Sequence, residues 1–272
     1  MKVAIIGCGY IGTAVARYWQ QLGLVVTATT MTSERATALS AIASHVVVVK
    51  GNDPVNLQLV MQEQDVVLLS VGAASPNVYE ETYLQTAKTL VSVLETSSVK
   101  QLIYTGSYAV YGDRNGEWVD ETSPVAPANS NGQILRDTEQ VLLSASSPDR
   151  NVCILRLGGI YGPGRELEKI FGRAAGTTRP GKGNDATNWI HKDDIVAAIE
   201  FARTHRLQGI YNLVNDAYLT SRELLDKVCE QHHLPKVVWD ESLQSNRPYN
   251  ARVSNRKLKD VGFQLIHTDF GF

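Results

Sequence analysis

The chain has 272 residues, 43% of them apolar, which is enough to bury a substantial core and argues against disorder. Its 26 basic and 28 acidic residues give a formal charge of −2, and neither sign gathers into a block of the kind that holds nucleic acid or a membrane surface. A small, near-neutral partner fits this composition better. Cys8, Cys153 and Cys229 lie far apart with no CxxC pair, so neither a disulfide framework nor a zinc site is suggested, and each sits among apolar neighbours that imply burial. The N-terminus runs directly into the strand-like KVAII, without an apolar leader or a cleavage signal. No apolar run approaches the roughly 18 to 20 residues needed to cross a bilayer, so the expected location is the cytoplasm.

In chain order the predicted elements alternate. A strand over 3–6 leads to a helix over 13–22, and a strand over 24–29 to a helix over 34–43. Short, mostly continuous β-branched or aliphatic runs at 46–49, 66–71 and 101–104 have the character of parallel strands buried on both faces, with helical segments between them. Strict alternation with right-handed crossovers gives an α/β fold, a doubly wound parallel sheet with helices on both faces. Beyond residue 151 the alternation loosens. VCILRL (152–157) reads as a further strand, while GPGR, RPGKGN and NRPYN mark long loops around helices near 194–204 and 221–232.

IIGCGYIG at 5–12 carries the spacing GxGxxG. Gly7, Gly9 and Gly12 follow a buried strand and open a helix, the arrangement that turns helix N–H groups and the positive dipole end toward a pyrophosphate. Gly7, Gly9, Tyr10, Ile11 and Gly12 are therefore read as binding a dinucleotide. Residues 1–150 become a Rossmann-type dinucleotide-binding core, and 151–272 a mixed segment that completes the sheet and forms a smaller C-terminal substrate lobe. The second strand ends in TATTMTSER (27–35), where an NAD-specific site usually offers an acid about 20 residues after the loop. No acid stands there. Thr29, Thr30, Ser33 and Arg35 supply hydroxyls and a cation better suited to a 2′-phosphate, which favours NADP and leaves NAD open. A structural reading stands beside this one: Ser33 as the cap of the next helix and Arg35 as a solvated helix residue.

Several later stretches, in order, resemble the extended short-chain dehydrogenase/reductase superfamily, also called the NAD-dependent epimerase/dehydratase family. They are YTGSYAVYG (104–112), DETSPVAP (120–127), ILRLGGIYGPG (154–164), NWIHKDDIVAAI (188–199) and IYNLVNDAYLTSRELLDKV (210–228). The resemblance implies that Ser107 is the hydroxyl that bonds the reacting oxygen of a substrate. It also implies that Val71, Gly72 and Ala73 line the adenine and ribose, that Asn52 falls where a family Asp meets the adenine, and that Gly159 with Ile160 falls beside the nicotinamide. Thr105 and Gly106, ahead of Ser107, join the cofactor set. Helices near 78–94 and 133–143 resemble those that pair subunits in the family, which implies a homodimer.

The family's chemistry rests on a Tyr followed four residues later by a Lys. Counting from Pro124, Pro127 and Glu139, these positions are Asn131 and Leu135, in NSNGQILRDTEQ (129–140). Asparagine is no phenol-type acid or base and leucine supplies no cation; each such group typically contributes about 10²- to 10⁴-fold, so the standard route is absent. Thr187 stands where nucleotide-sugar enzymes of the family carry an Arg for the diphosphate, which disfavours a nucleotide sugar. The pattern resembles the atypical branch of the superfamily, which keeps the cofactor loop while losing parts of the active site.

Tyr108 and Tyr111 are the candidates to replace the missing acid, with Arg136 or Lys182 as the cation that such a phenol needs; the alternative for both tyrosines is packing. His191 lies near Asp185, Asp193 and Asp194, but neither an i, i+4 His pair nor a third imidazole accompanies it. No metal site is read there, and Asp193 or Asp194 is placed near a helix N-terminus. Arg165 and RPGKG (179–183) put cations on loops where they either receive an anionic substrate or are simply solvated. The reading is an NAD(P)-binding oxidoreductase of an unidentified small molecule. A non-catalytic NADP-binding sensor or scaffold is the alternative, and a nucleotide-sugar epimerase or dehydratase comes third.

Overall fold

The computed structural model describes residues 1–271. The elements are β1 (Lys2–Ile6), α1 (Tyr10–Gln21), β2 (Val25–Thr30), α2 (Ser33–Leu39), β3 (His45–Val48), α3 (Pro54–Met61), β4 (Val66–Leu69), α4 (Thr86–Leu94) and β5 (Gln101–Ser107). Next come β6 (Asp113–Val119), α5 (Ser130–Leu143), β7 (Asn151–Leu157), β8 (Gly159–Tyr161), α6 (Leu167–Phe171), β9 (Thr178–Pro180) and β10 (Trp189–His191). The chain finishes with α7 (Lys192–Thr204), β11 (Gly209–Leu213), α8 (Ser221–Gln231), β12 (Val238–Asp240), β13 (Asn250–Val253) and α9 (Arg256–Asp260). They form two compact units.

The first unit comprises Met1–Ser107, Ser130–Arg156 and Val196–Tyr211. Its seven-stranded sheet has the order β11-β7-β5-β4-β1-β2-β3, and β1 pairs in parallel with both β2 and β4. This is the doubly wound sheet that the alternation predicts. β1 lies inside the sheet, Val3 beside Val26 along one edge and Val66 along the other, and its aliphatic run is buried. On one face Ala4, Ile6, Leu69 and Leu102 meet Leu57 of α3 and Leu90 and Leu94 of α4. Helix α1 buries Ile11, Val15 and Trp19, a spacing of four that keeps them on one stripe. The Trp19 indole N–H donates to Glu200 Oε2 at 2.9 Å, satisfying the one polar atom that this ring carries inward. The order changes direction between β1 and β4, which leaves a crevice at the carboxyl ends of these strands.

Two boundaries differ from expectation. Helix α2 ends at Leu39, and the segment expected to be helical from residue 78 becomes regular α-helix only at Thr86. Between them Pro76–Val78 forms a 3₁₀ turn and Glu80–Gln85 a π turn, in which the Thr86 hydroxyl donates to the Glu81 carbonyl at 3.3 Å and so supports the wider turn.

The second unit comprises Tyr108–Asn129, Leu157–Ile195 and the chain from Asn212 onward. Its strands form two-stranded parallel ribbons, β8 with β10, β9 with β12 and β6 with β13. Tyr108, Tyr111, Val119, Val214, Ala251 and Val253 make one apolar cluster; Tyr161, Leu167, Leu224 and Val228 make another. Among the described residues no helix is long and apolar enough to cross a membrane.

Candidate cofactor cradle and active site

The glycine loop joins β1 to α1 at the carboxyl edge of the sheet. Gly7 has φ +91°, and a Cβ there would lie 2.7 Å from the Ser70 carbonyl oxygen; a Cβ on Gly12 would lie 2.5 Å from the Gly7 carbonyl oxygen. These two positions exclude a side chain because strand, loop and helix approach one another through backbone. Gly9 differs: nothing lies within 4 Å of its Cβ position. Gly9 is also the N-cap of α1, with no side-chain cap and no acid in the first turn, so the positive end of the helix faces open space. That is a fit for a pyrophosphate approaching over Gly9. The loop is held by Thr29, whose Oγ1 accepts the Gly7 N–H at 3.1 Å and whose carbonyl accepts the Cys8 N–H at 3.0 Å. Tyr10 and Ile11 open the helix, Ile11 buried beneath it.

Arg35 reaches this loop. Its Nη2 donates to the Cys8 carbonyl at 2.7 Å and to Thr13 Oγ1 at 3.2 Å, and Thr13 Oγ1 itself donates to the same carbonyl at 3.1 Å. The reading of Arg35 as a merely solvated helix residue is thereby corrected. The cap of α2 is Thr32, whose side chain accepts the Arg35 N–H at 3.4 Å, and Ser33 is the exposed first residue of the helix. Thr30 ends β2 and is buried. Cys8 is buried too, which pushes its thiol up to about 12 against the opposing hydrogen bond and the Arg35 charge; it is a packing residue, not a nucleophile.

The other cofactor candidates of this unit follow neighbouring strands. Val71, Gly72 and Ala73 lie after β4, where the Ala73 N–H donates to the Tyr83 hydroxyl at 3.4 Å. Asn52 lies after β3, exposed, and donates to Glu81 Oε1 at 3.2 Å. Thr105 Oγ1 bonds Ser70 Oγ at 3.2 Å and ties the ends of β5 and β4 together. Beneath Gly106 a buried ion pair joins α5 to β7: Arg156 Nη2 and Nε lie 2.7 and 3.0 Å from the Glu139 carboxylate. A Cβ on Gly106 would come within 3.3 Å of Glu139 Oε1, so the pair supports the strand end that carries Ser107. Burial raises the Glu139 pKa, opposed by Arg156. Asn131 is half-buried and Leu135 buried on α5.

In the second unit Gly159 and Ile160 lie in β8, and the Trp189 ring covers Gly159, leaving only 2.7 Å to a Cβ. Thr187 is committed to the Leu219 carbonyl at 2.7 Å. Tyr111 donates to Asn212 Oδ1 at 2.9 Å and is buried, which makes it a packing residue. Tyr108 is buried, which pushes its phenol up to about 12, while Arg247 and Asn188 beside it pull it down. Neither Arg136 nor Lys182 is the cation paired with it, a correction to the sequence reading. Arg136 pairs with Asp137 at 2.9 Å, while Arg247 comes from the loop NRPYN, which reads in the sequence only as a turn signal.

The neighbourhood of His191 also differs from the sequence reading, because His267 supplies a second imidazole. The rings lie 3.8 Å apart at 40°, and ligand-type atoms of His191, Asp193 and His267 fall within 4.8 Å of one another. His191 Nδ1 accepts the Asp193 N–H at 3.2 Å. The fully buried Asp194 carboxylate accepts the N–H groups of Ile266 at 2.5 Å and His267 at 3.1 Å, docking the C-terminal segment on the first turn of α7. Asp185 is separate, accepting from Ser245 at 2.6 Å.

A doubly wound sheet with this glycine cradle defines a nucleotide-cofactor-binding protein of the α/β class. Residues 3–214 match the model of the NAD dependent epimerase/dehydratase family, and the chain belongs to that family. It is 32% identical over 277 residues to "Protein YeeZ" of Escherichia coli (strain K12), covering 98% of this chain and 97% of that protein. Among solved structures it is similar to the UDP-glucose 4-epimerase of Thermus thermophilus in complex with NAD, with a TM-score of 0.80, 21% identity and coverage of 98% and 94%. A functionally unknown conserved protein from Silicibacter pomeroyi DSS gives a TM-score of 0.77, 22% identity and the same coverage. These structural likenesses speak to the fold.

Proposed function

We propose that the protein is an NAD(P)-dependent oxidoreductase of a small carbonyl or alcohol compound, with NADP as the preferred cofactor. The observation that carries this reading is the uncapped α1 terminus open over Gly9, with the Arg35 guanidinium fixed to the same loop. Bound there, the nicotinamide cofactor supplies hydride exchange. Gly7, Gly9 and Gly12 let its pyrophosphate approach the backbone, and Arg35 with Thr30 and Ser33 meets the 2′-phosphate. Ser107 bonds the reacting oxygen, and Tyr108, next in the chain, handles its proton. Exposed Arg165 and Lys182 on loops of the second unit, and Arg179 in β9, suit a substrate with negative charge, and a homodimer through α4 and α5 follows from the family resemblance.

The test is a titration of the purified protein with NADPH and NADH, followed by nicotinamide absorbance in the presence of a panel of small carbonyl compounds. Tight NADPH binding and slow oxidation that Ser107→Ala lowers by about 10²-fold or more are expected. Turnover unchanged by Ser107→Ala would refute the role of that hydroxyl. Asn131 and the buried Leu135 favour a second reading, a non-catalytic sensor of NADP. Its signature is tight binding without turnover and a partner affinity that differs between oxidised and reduced cofactor.

A further inference from the structure

His191 closes β10 and is buried, with Gly162 set so closely against its Nε2 that a Cβ there would lie 2.9 Å from that atom. Tyr161 meets the ring edge-on, with centroids 5.1 Å apart, so the imidazole is held in place. Its other nitrogen, Nδ1, accepts the Asp193 N–H at 3.2 Å. An acceptor needs a lone pair, so the ring proton sits on Nε2 and Nδ1 is the nitrogen able to bind a cation. Two movable donors stand beside it. Asp193 Oδ2 lies 3.7 Å from Nδ1, and His267 Nε2 lies 3.9 Å from the same carboxylate oxygen; these two side chains are 51% and 39% exposed. All three residues belong to the second unit.

We propose that His191, Asp193 and His267 bind a divalent cation of the zinc class, completed by water, and that the ion clasps the C-terminal segment to the start of α7. The proposal stands apart from the oxidoreductase reading. Two imidazoles and one carboxylate suit zinc and its first-row neighbours, whereas magnesium and calcium take oxygen donors. Four-coordinate zinc, with bonds of about 2.0–2.1 Å, keeps its donor atoms about 3.3 Å apart, so the observed 3.7 and 3.9 Å must close by about half an ångström. The exposed side chains supply that movement. Asp193 turns toward Nδ1, and His267 swings off its stack on His191 to aim its in-plane lone pair at the ion. The ion takes the Nδ1 lone pair in place of a long hydrogen bond and leaves the Asp193 N–H to water at the helix end. The carboxylates of Asp193 and of Asp194 beside it offset the added charge, against Lys192 and the positive end of α7.

The consequence lies in the segment that carries His267. Its backbone is held by Asp194 at Ile266 and His267, by the Asp216 N–H, which donates to the Thr268 carbonyl at 2.8 Å, and by the Tyr161 hydroxyl, which donates to the Asp269 carbonyl at 2.9 Å. An ion shared with His191 and Asp193 adds a further tie between this segment and the β10–α7 junction. It binds the docked form alone and so favours docking by mass action.

The test uses the full chain stripped with EDTA, titrated by calorimetry with Zn²⁺ and followed optically with Co²⁺, whose visible absorption reports a four-coordinate site. Binding of about one equivalent is expected, together with slower amide exchange over residues 265–271, and Mg²⁺ at the same concentration is expected to produce neither. His267→Gln should weaken Zn²⁺ binding by about 10²-fold or more, beyond what a group outside the ligand set is worth, and abolish the exchange effect. His232→Gln, which alters a histidine paired with Glu168, should change neither. His191→Gln should act as His267→Gln does; where this buried replacement fails to fold, the His267 variant carries the test. Binding that survives His267→Gln, that is lost in His232→Gln, that Mg²⁺ reproduces, or that is missing at about millimolar Zn²⁺ overturns the site. Binding through His267 with unchanged exchange over 265–271 overturns the clasp. None of these readouts involves a nicotinamide cofactor, so the oxidoreductase reading is judged separately.

Discussion

Alanine at Gly12 and alanine at Gly9 perturb the cradle in opposite ways. At Gly12 the new Cβ would lie 2.5 Å from the Gly7 carbonyl oxygen. An ordinary contact is about 3.5 Å, so α1 must retreat from its own loop by about 1 Å. Forcing a close-packed contact of this kind costs about 1–3 kcal/mol, and the retreat also carries the helix end away from any bound pyrophosphate. At Gly9 the Cβ meets nothing within 4 Å. Its steric cost in the free protein is therefore small, and the poorer N-cap adds about 0.5–1 kcal/mol. The methyl group nevertheless fills the space over the uncapped helix end and keeps an anion from the N–H groups. Losing two charge-assisted hydrogen bonds at about 1.5 kcal/mol each weakens binding about 10²-fold. Urea unfolding of the free proteins and NADPH titration together give the assay: Gly12→Ala loses stability and binding, Gly9→Ala loses chiefly binding. A Gly9→Ala protein that binds with unchanged affinity, or a Gly12→Ala protein as stable as the parent, would refute the reasoning.

Arg35→Ala is expected to weaken NADPH binding about tenfold or more while changing NADH much less, because only the former carries the phosphate that a guanidinium recognises; equal losses for both would count against a 2′-phosphate contact. Glu139→Gln leaves the Arg156 charge buried without its carboxylate and should cost about 3–5 kcal/mol in urea unfolding. A double replacement by leucine and methionine is expected to recover most of that loss, and a Glu139→Gln protein of unchanged stability would show that the pair does not hold α5 to β7. Burial, and then His267, hold His191 below its ordinary pKa of 6.5. The unfolded chain thus takes up the proton more readily, so this contribution is full above about pH 6.5 and is lost as the pH falls toward the folded-state value. Between about pH 7.5 and 5 the melting temperature of His191→Gln should therefore fall less steeply than that of the parent, and parallel slopes would remove His191 from the account.

Local chemistry was enough to read the strand, the glycine loop and the helix that open the chain. A buried aliphatic strand, three glycines at a fixed spacing and an amphipathic helix lie within twenty residues of one another, and each restricts the backbone where it stands. The same is true of Ser107 at the end of its strand and of Asn131 and Leu135, whose places follow from counting along one helix. The partners of the reactive groups were not legible in this way. Arg247 meets Tyr108, and His267 meets His191, across long stretches of chain. Nothing in NRPYN or in the C-terminal segment has a period that would announce such a contact. The ribbons of the second unit, most of them three or four residues per strand, are likewise too short to alternate, and β6 finds β13 only when the chain has folded.

Periodicity, turn chemistry and motif spacing determined that this chain builds a doubly wound sheet with a glycine loop, because these are properties of neighbouring residues; the absence of the usual Tyr and Lys at Asn131 and Leu135 is what the family resemblance implies. Which cation faces Tyr108, which residue caps α2 and what anchors Arg35 were decided by the tertiary structure alone, because a pairwise electrostatic contact depends on distance in space and leaves no mark on the order of the residues.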